Sequence, residues 1–93
     1  MTHMIRERIV FYGRVQGVGF RYTATYLAKS LDLTGWVMNE YDGSVVMEVQ
    51  GSQYAIDQLI LSLKDQRYIK ITDVVRADIP IDPGERRFRS RYY

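Results

Sequence analysis

The order in which strand-like and helix-like apolar patterns follow one another constrains the fold of this chain more than any other feature. Residues 9–12 are a short run of β-branched and aromatic residues, which is typical of a strand. From Phe20 onwards the apolar residues recur at the spacing of a helix. They are Phe20, Ala24, Leu27, Ala28 and Leu31. The sequence therefore predicts a strand followed by an amphipathic helix.

The rest of the chain repeats this alternation. Residues 36–39 and 45–49 predict two strands, and the Asp42-Gly43 pair between them is typical of a tight hairpin turn. Ser52 can cap a second helix. The apolar face of that helix is Ile56, Leu59, Ile60 and Leu63. Residues 71–79 predict a fourth strand, and residues 88–92 predict a fifth, short strand at an edge.

This order is the βαββαβ pattern of a ferredoxin-like α+β sandwich with a short extra C-terminal edge strand. Two helices then cover one face of a mainly antiparallel sheet. A length of 93 residues has room for one domain, so we expect a single domain over residues 1–93. The first and second strands run parallel in this fold, with the third between them. Their C-terminal ends, after Tyr12 and at Asn39, should therefore open on a common space about 10 Å wide.

Composition restricts the chemistry. The chain has no cysteine and one histidine, His3, which excludes a thiol nucleophile and disfavours a histidine-based triad or metal site. We expect no metal and no cofactor. The longest apolar runs are far shorter than 18 residues and nothing resembles a signal peptide, so we expect no membrane span and a cytoplasmic location.

The net charge of +2 originates at the C-terminal end. Residues 86–93 contain four arginines and no acidic residue, and the remaining chain has nine basic and eleven acidic residues. The arginines are Arg86, Arg87, Arg89 and Arg91. We expect these arginines to protect an edge strand from pairing with another chain, which favours a monomer. An acidic partner is the alternative. A net acidic body is poorly suited to binding nucleic acid, so none is expected. Glu48, on the third predicted strand, is expected to be solvated.

Glycines interrupt the connection between the first predicted strand and the first helix. A glycine-rich turn at residues 13–19 can point several backbone N–H groups inward, and the helix start adds unpaired N–H groups and its positive dipole end. Arg21 can reach the same anion. The loop lacks the Gly-Lys-Ser/Thr of a P-loop, so a nucleotide with Mg²⁺ is not implied. The spacing alone fits either an anion cradle or an ordinary connection with a solvated arginine.

Residue identity adds a resemblance to a known family. Residues 13–21, Gly-Arg-Val-Gln-Gly-Val-Gly-Phe-Arg, closely resemble the first acylphosphatase signature, Gly-x-Val-Gln-Gly-Val-x-Phe-Arg. Residues 35–45, Gly-Trp-Val-Met-Asn-Glu-Tyr-Asp-Gly-Ser-Val, resemble the second, Gly-x-Val-x-Asn-x-x-Asp-Gly-x-Val. The likeness extends to residues 49–51 and 88–92. It implies a stand-alone acylphosphatase, an acid-anhydride hydrolase that converts acyl phosphates into a carboxylate and inorganic phosphate without a metal.

The resemblance also implies roles for individual residues. Arg21 is similar to the catalytic arginine that holds the phosphoryl oxygens, and Asn39 to the residue that positions the attacking water. The residues expected to bind the substrate phosphate are Val15, Gln16, Gly17, Val18, Gly19, Phe20 and Arg21. Gly19 stands where some members have a side chain, and this additional glycine is expected to loosen the loop.

Two other functions remain open at this point. Similar domains begin larger carbamoyl-transfer proteins, so the chain could be a non-catalytic or carbamoyl-phosphate-handling module that binds phosphate. An RNA-binding domain of the same fold is disfavoured, because the predicted central strand has Phe11 and Tyr12 without the basic and aromatic motif of such domains. The expected partners are therefore a small acyl phosphate and inorganic phosphate, with no nucleic acid and no membrane.

Overall fold

The computed structural model describes residues 3–92 and contains five strands and two helices in that part of the chain. They are β1 (Met4–Arg14), α1 (Phe20–Ser30), β2 (Thr34–Asn39), β3 (Val45–Ser52), α2 (Gln53–Lys64), β4 (Lys70–Ile79) and β5 (Phe88–Arg91). This order confirms the predicted βαββαβ pattern and its short extra strand. Neither helix of the described part has the length needed to traverse a bilayer.

The five strands form one sheet in the order β4-β1-β3-β2-β5. Strand β3 pairs antiparallel with β1 on one side and with β2 on the other, so β1 and β2 run parallel as predicted. Strand β5 lies parallel to β2 at the edge. Val45 is opposite Phe11 in the β1–β3 pair and opposite Asn39 in the β2–β3 pair. The C-terminal ends of β1 and β2 therefore lie at the same end of the sheet.

An apolar core between the sheet and both helices fixes the ends of the glycine loop. The rings of Phe11 on β1 and Phe20 on α1 are both buried, with centroids 5.0 Å apart and planes inclined at 56°. Val15, between them in sequence, is fully buried in the same core. Because these three side chains are buried in the core, both ends of the loop between Val15 and Phe20 are fixed at the C-terminal end of β1.

Strand β1 begins at Met4, five residues before the predicted start. Its first half is polar in sequence, but Arg6 and Glu7 are each only 4% exposed. The Arg6 guanidinium contacts the carboxylates of Glu48 (3.1 Å) and Glu85 (2.8 Å). Glu48 is less solvated than expected: its side chain is 23% exposed and also pairs with Arg8 at 3.2 Å. Charge pairing between strands allows a polar segment to be buried.

The predicted helix cap and hairpin connection are both present. The Ser52 hydroxyl accepts a hydrogen bond from the Ala55 N–H at 3.1 Å, which confirms the predicted cap of α2. Residues 40–44 join β2 and β3, as the predicted strand ends imply, and the Gly43 N–H donates to the Glu40 carbonyl oxygen at 3.2 Å. The glycine loop forms hydrogen bonds with this connection, as described below.

Candidate active site

A cavity of about 350 Å³ opens where the C-terminal ends of β1 and β2 meet the start of α1 and the end of β5. Its lining consists of Val15, Gly17, Gly19, Phe20, Arg21, Tyr22, Thr25, Asn39, Ser90 and Tyr92. The structure thus brings Arg21 and Asn39, the two predicted catalytic residues, to one space. Gln16 and Val18 of the predicted phosphate-binding set are absent from this lining, and both are half-buried beside it.

The backbone of the glycine loop suits an anion. Gly17 has φ +73° and Gly19 has φ +79°, whereas Val18 between them does not have a positive φ. A backbone that alternates in hand between successive residues can aim consecutive N–H groups into one concavity. A residue with a side chain would adopt the left-handed conformation of Gly19 only at a cost of about 1–2 kcal/mol. Whether Gly19 also loosens the loop stays a prediction.

The start of α1 adds positive potential to the cavity. Gly19 is the residue before the helix, and it provides no side-chain acceptor for the first-turn N–H groups. The first turn contains no acidic residue. Unpaired N–H groups and the helix dipole therefore both favour an anion at this point. Arg21, the second residue of α1, adds a full positive charge.

The C-terminal segment holds the Arg21 side chain. The Arg21 Nη1 lies 3.4 Å from the carbonyl oxygen of Arg91, and its Cζ lies 4.4 Å from the centre of the Tyr92 ring. In the described residues 3–92, no carboxylate forms an ion pair with Arg21. Within these residues, a neutral ring and a carbonyl oxygen position the guanidinium, and neither of them neutralises its charge.

The loop and the turn after Asn39 are joined by the Gln16 side chain. Its Nε2 donates hydrogen bonds to the carbonyl oxygens of Glu40 (2.7 Å) and Ser44 (2.8 Å). Within the turn, Asp42 Oδ1 accepts from the Ser44 hydroxyl at 2.6 Å and from the Ser44 N–H at 3.0 Å. These two bonds, the hydroxyl bond first, hold the pKa of Asp42 below its usual value.

Sequence reasoning missed several contributions to this site. It expected Gln16 to act through its backbone, but the structure gives its side chain a bridging position. It noted the likeness at residues 88–92 without placing Tyr92 or the Arg91 carbonyl beside Arg21. Ser90 was not considered, although its buried hydroxyl lies in the cavity lining with no hydrogen-bond partner in the described part of the chain. The pairing of β5 with β2 brings Ser90, Arg91 and Tyr92 to the cavity, and no local sequence pattern indicates that pairing.

No group of three histidine, aspartate or glutamate side chains among residues 3–92 is arranged to hold a metal ion. His3 is exposed and is not part of the cavity lining. The groups gathered in the cavity are instead a guanidinium, a side-chain amide, hydroxyls and backbone N–H groups. Such a set can bind a tetrahedral oxyanion and orient a water molecule beside it.

Comparisons with known proteins find similarity along nearly the whole chain. The acylphosphatase family model matches residues 7–90. An acylphosphatase from Bifidobacterium longum is 42% identical over 92 residues, which cover 97% of this chain and 95% of that protein. The crystal structure of an acylphosphatase from Bacillus subtilis has a TM-score of 0.87 and 34% identity, and covers 97% of this chain and 100% of that one. HypF from T. kodakarensis contains a similar region, with a TM-score of 0.78 and 26% identity over 96% of this chain and 12% of its own.

Proposed function

This chain belongs to the acylphosphatase family, and we propose that it hydrolyses the carboxyl–phosphate anhydride of acyl phosphates to a carboxylate and inorganic phosphate. It is an enzyme of the acid-anhydride hydrolase class. The observation that carries the proposal is the convergence of Arg21, the glycine loop and Asn39 on one cavity at the positive end of α1.

In this proposal the phosphoryl group lies against the glycine loop. Backbone N–H groups of residues 15–20 and the Arg21 guanidinium surround its oxygens. During phosphoryl transfer, negative charge spreads over the equatorial oxygens, and catalysis depends mainly on positioning and electrostatic stabilisation. Among residues 3–92, Arg21 forms no ion pair with a carboxylate, and the first turn of α1 has no acidic side chain; both features meet that requirement.

Asn39 is the proposed water-positioning residue. Its side-chain amide can both donate and accept hydrogen bonds without titrating. The water oxygen forms a new bond to phosphorus as the bond from phosphorus to the acyl oxygen breaks, and the carboxylate leaves with that electron pair. One proton of the water moves to a phosphate oxygen of the substrate, and the other stays on the oxygen newly bonded to phosphorus. Since a carboxylate is a good leaving group, the step requires no protein general acid.

The decisive experiment compares Arg21→Ala with a matched control, Arg89→Ala, which removes an exposed arginine outside the cavity. Hydrolysis of benzoyl phosphate is followed with EDTA present. We expect kcat/KM of Arg21→Ala to fall by about 10²–10³, the usual effect of losing one oxyanion donor. The control should be unchanged. An Arg21→Ala enzyme that keeps more than about a tenth of kcat/KM contradicts the role of Arg21.

The second candidate is a phosphate-binding module without turnover, or one that handles carbamoyl phosphate. The match to 12% of HypF from T. kodakarensis favours it, because a region of this fold also occurs as part of a much longer protein. The same assay separates the two candidates when it is run with benzoyl phosphate and with carbamoyl phosphate. Phosphate binding by calorimetry without turnover of either compound indicates the module. Turnover of benzoyl phosphate in EDTA, inhibited competitively by inorganic phosphate, indicates the hydrolase.

The proposed enzyme acts as a monomer on small molecules. Both edge strands have exposed charged side chains, Lys70, Asp73 and Asp78 on β4 and Arg89 on β5, and charge at a sheet edge disfavours pairing with a second copy. Size-exclusion chromatography with light scattering tests the monomer. The cytoplasmic location and the lack of nucleic-acid binding stay predictions.

A further inference from the structure

A second cavity, of about 430 Å³, adjoins the candidate active site at the glycine loop. Its lining consists of Arg14, Gly17, Val18, Arg67, Tyr68 and Lys70. Gly17 lines both cavities, and a side chain added at this residue would find no atom within 4 Å. The two cavities therefore share Gly17, and the space beside this residue is open.

Three positive charges surround this second cavity. Arg14, Arg67 and Lys70 are all exposed, and within residues 3–92 no carboxylate forms an ion pair with any of them. The Arg67 guanidinium lies 5.7 Å from the centre of the Tyr68 ring, which is a favourable contact for a cation. We call Arg14, Arg67 and Lys70 the loop-side cationic cluster.

The sheet places two of these charges directly against each other. Arg14 ends β1 and Lys70 begins β4, and the two are partners in the antiparallel register. Like charges at directly opposite positions destabilise a sheet. A bound oxyanion between them would replace this repulsion with two attractions, and the arginine would contribute a fork of N–H donors. The cluster is therefore suited to an anion that residues 3–92 do not supply.

We propose, on the basis of the hydrolase function above, that the loop-side cationic cluster binds a second anionic group in the acyl part of the substrate. The phosphoryl group lies at Arg21, the acyl chain crosses Gly17, and a carboxylate or phosphate at its far end reaches the cluster. The favoured substrates are then acyl phosphates with an additional oxyanion, rather than acyl phosphates with an uncharged acyl group.

The test compares two substrates that differ in one charge, benzoyl phosphate and 4-carboxybenzoyl phosphate. The triple variant Arg14→Gln, Arg67→Gln, Lys70→Gln removes the cluster. A control triple variant, Lys29→Gln, Arg86→Gln, Arg87→Gln, removes the same charge from exposed residues outside both cavities.

We expect the cluster variant to lose about tenfold or more in kcat/KM for 4-carboxybenzoyl phosphate, mainly through KM, which is the scale of one charge-assisted hydrogen bond. The kcat/KM of the cluster variant for benzoyl phosphate should stay within about twofold of the wild type. The control variant should stay within the same range for both substrates. Equal losses on the two substrates, or equal losses in the control, overturn the proposal.

A binding measurement makes the outcome independent of turnover. Calorimetry compares alkylphosphonates with α,ω-alkane bisphosphonates that have spacers of two to six carbons. Tighter binding of at least one bisphosphonate by the wild type, lost in the cluster variant and kept in the control, supports the cluster as a second anion site. A wild type that does not distinguish the two series overturns it. If benzoyl phosphate is not hydrolysed at all, the hydrolase function has failed, and the calorimetry still decides whether the cluster binds an anion.

Discussion

The side-chain amide of Gln16 lies 2.7 Å from the carbonyl oxygen of Glu40, so the glycine loop is hydrogen-bonded to the residue that follows Asn39. The same amide reaches the Ser44 carbonyl oxygen at 2.8 Å. Strands β1 and β2 are not neighbours, because β3 lies between them. Their pairing with β3 brings the C-terminal ends of β1 and β2 to the same end of the sheet. The Gln16 side chain then links the glycine loop after β1 to the turn after β2.

Replacing Gln16 with leucine tests this link. The substitution keeps a similar volume and removes both hydrogen bonds. We expect kcat/KM for benzoyl phosphate to fall by about tenfold to a hundredfold, since small displacements of catalytic groups have effects of that size. The free energy of unfolding should fall by about 1–2 kcal/mol for the two lost bonds. Steady-state kinetics and urea unfolding measure the two effects. Gln16→Glu, whose carboxylate cannot donate, should be equally impaired, and a fully active Gln16→Leu enzyme argues against the link.

Asn39→Ala separates water positioning from phosphate binding. We expect kcat for benzoyl phosphate to fall by about a hundredfold, as for other oriented groups in a transition state. Inhibition by inorganic phosphate should stay within about threefold of the wild-type value, because the glycine loop and Arg21 are intact. The measurement is the inhibition constant of phosphate beside kcat. A parallel loss of phosphate affinity shows that Asn39 maintains the shape of the site instead.

Tyr92 offers a test of how Arg21 is held. Its ring lies 4.4 Å from the Arg21 Cζ, although Tyr92 itself is 69% exposed. An exposed cation–π contact contributes about 0.5–1 kcal/mol, so Tyr92→Leu should lower kcat/KM by about twofold to fivefold. Tyr92→Phe keeps the ring and should behave as the wild type. Equal activity of all three proteins means that the Arg21 side chain is positioned without the ring.

The contribution of the turn after Asn39 to the free energy of unfolding should depend on pH, through the carboxyl group of Asp42. The Ser44 hydroxyl and N–H hold the pKa of folded Asp42 below its ordinary value of 3.8. A carboxyl with a lowered folded pKa stabilises the folded state above the unfolded-state pKa, and this contribution disappears as the pH falls through the folded pKa. Wild type should therefore be more stable than Asp42→Asn at pH 7, and the difference should vanish in strong acid.

Urea unfolding of both proteins at several pH values from 7 down to 2 measures that difference. Ser44→Ala is the matched variant, because it removes the hydroxyl that lowers the pKa most. An NMR titration of Asp42 should then give a higher pKa than in the wild type. A stability difference between wild type and Asp42→Asn that is constant over the whole pH range contradicts the assignment.

Local sequence patterns were sufficient to predict the secondary structure wherever a residue's environment depends on its near neighbours in sequence. The helical spacing from Phe20 and the cap at Ser52 predicted both helices, and the alternation of elements predicted the sheet. The start of β1 was not predictable in this way. Arg6 and Glu7 are charged, and their partners Glu85 and Arg76 lie 79 and 69 residues away in sequence. Only the folded structure brings those partners within 3 Å, so Arg6 and Glu7 are buried although they look exposed in sequence.

The residues of the candidate site also divide into those that local sequence patterns identified and those that only the tertiary structure placed. The order of residues in the loop and around Asn39 determined which groups the cavity has, because the glycines set the backbone and the strand–helix junction sets the direction of the N–H groups. Tertiary structure alone decided that Tyr92 lies over Arg21, that Gln16 bridges to the turn and that Arg14 faces Lys70. Each of these contacts joins segments distant in sequence, and its geometry depends on strand register and core packing, which no local pattern specifies.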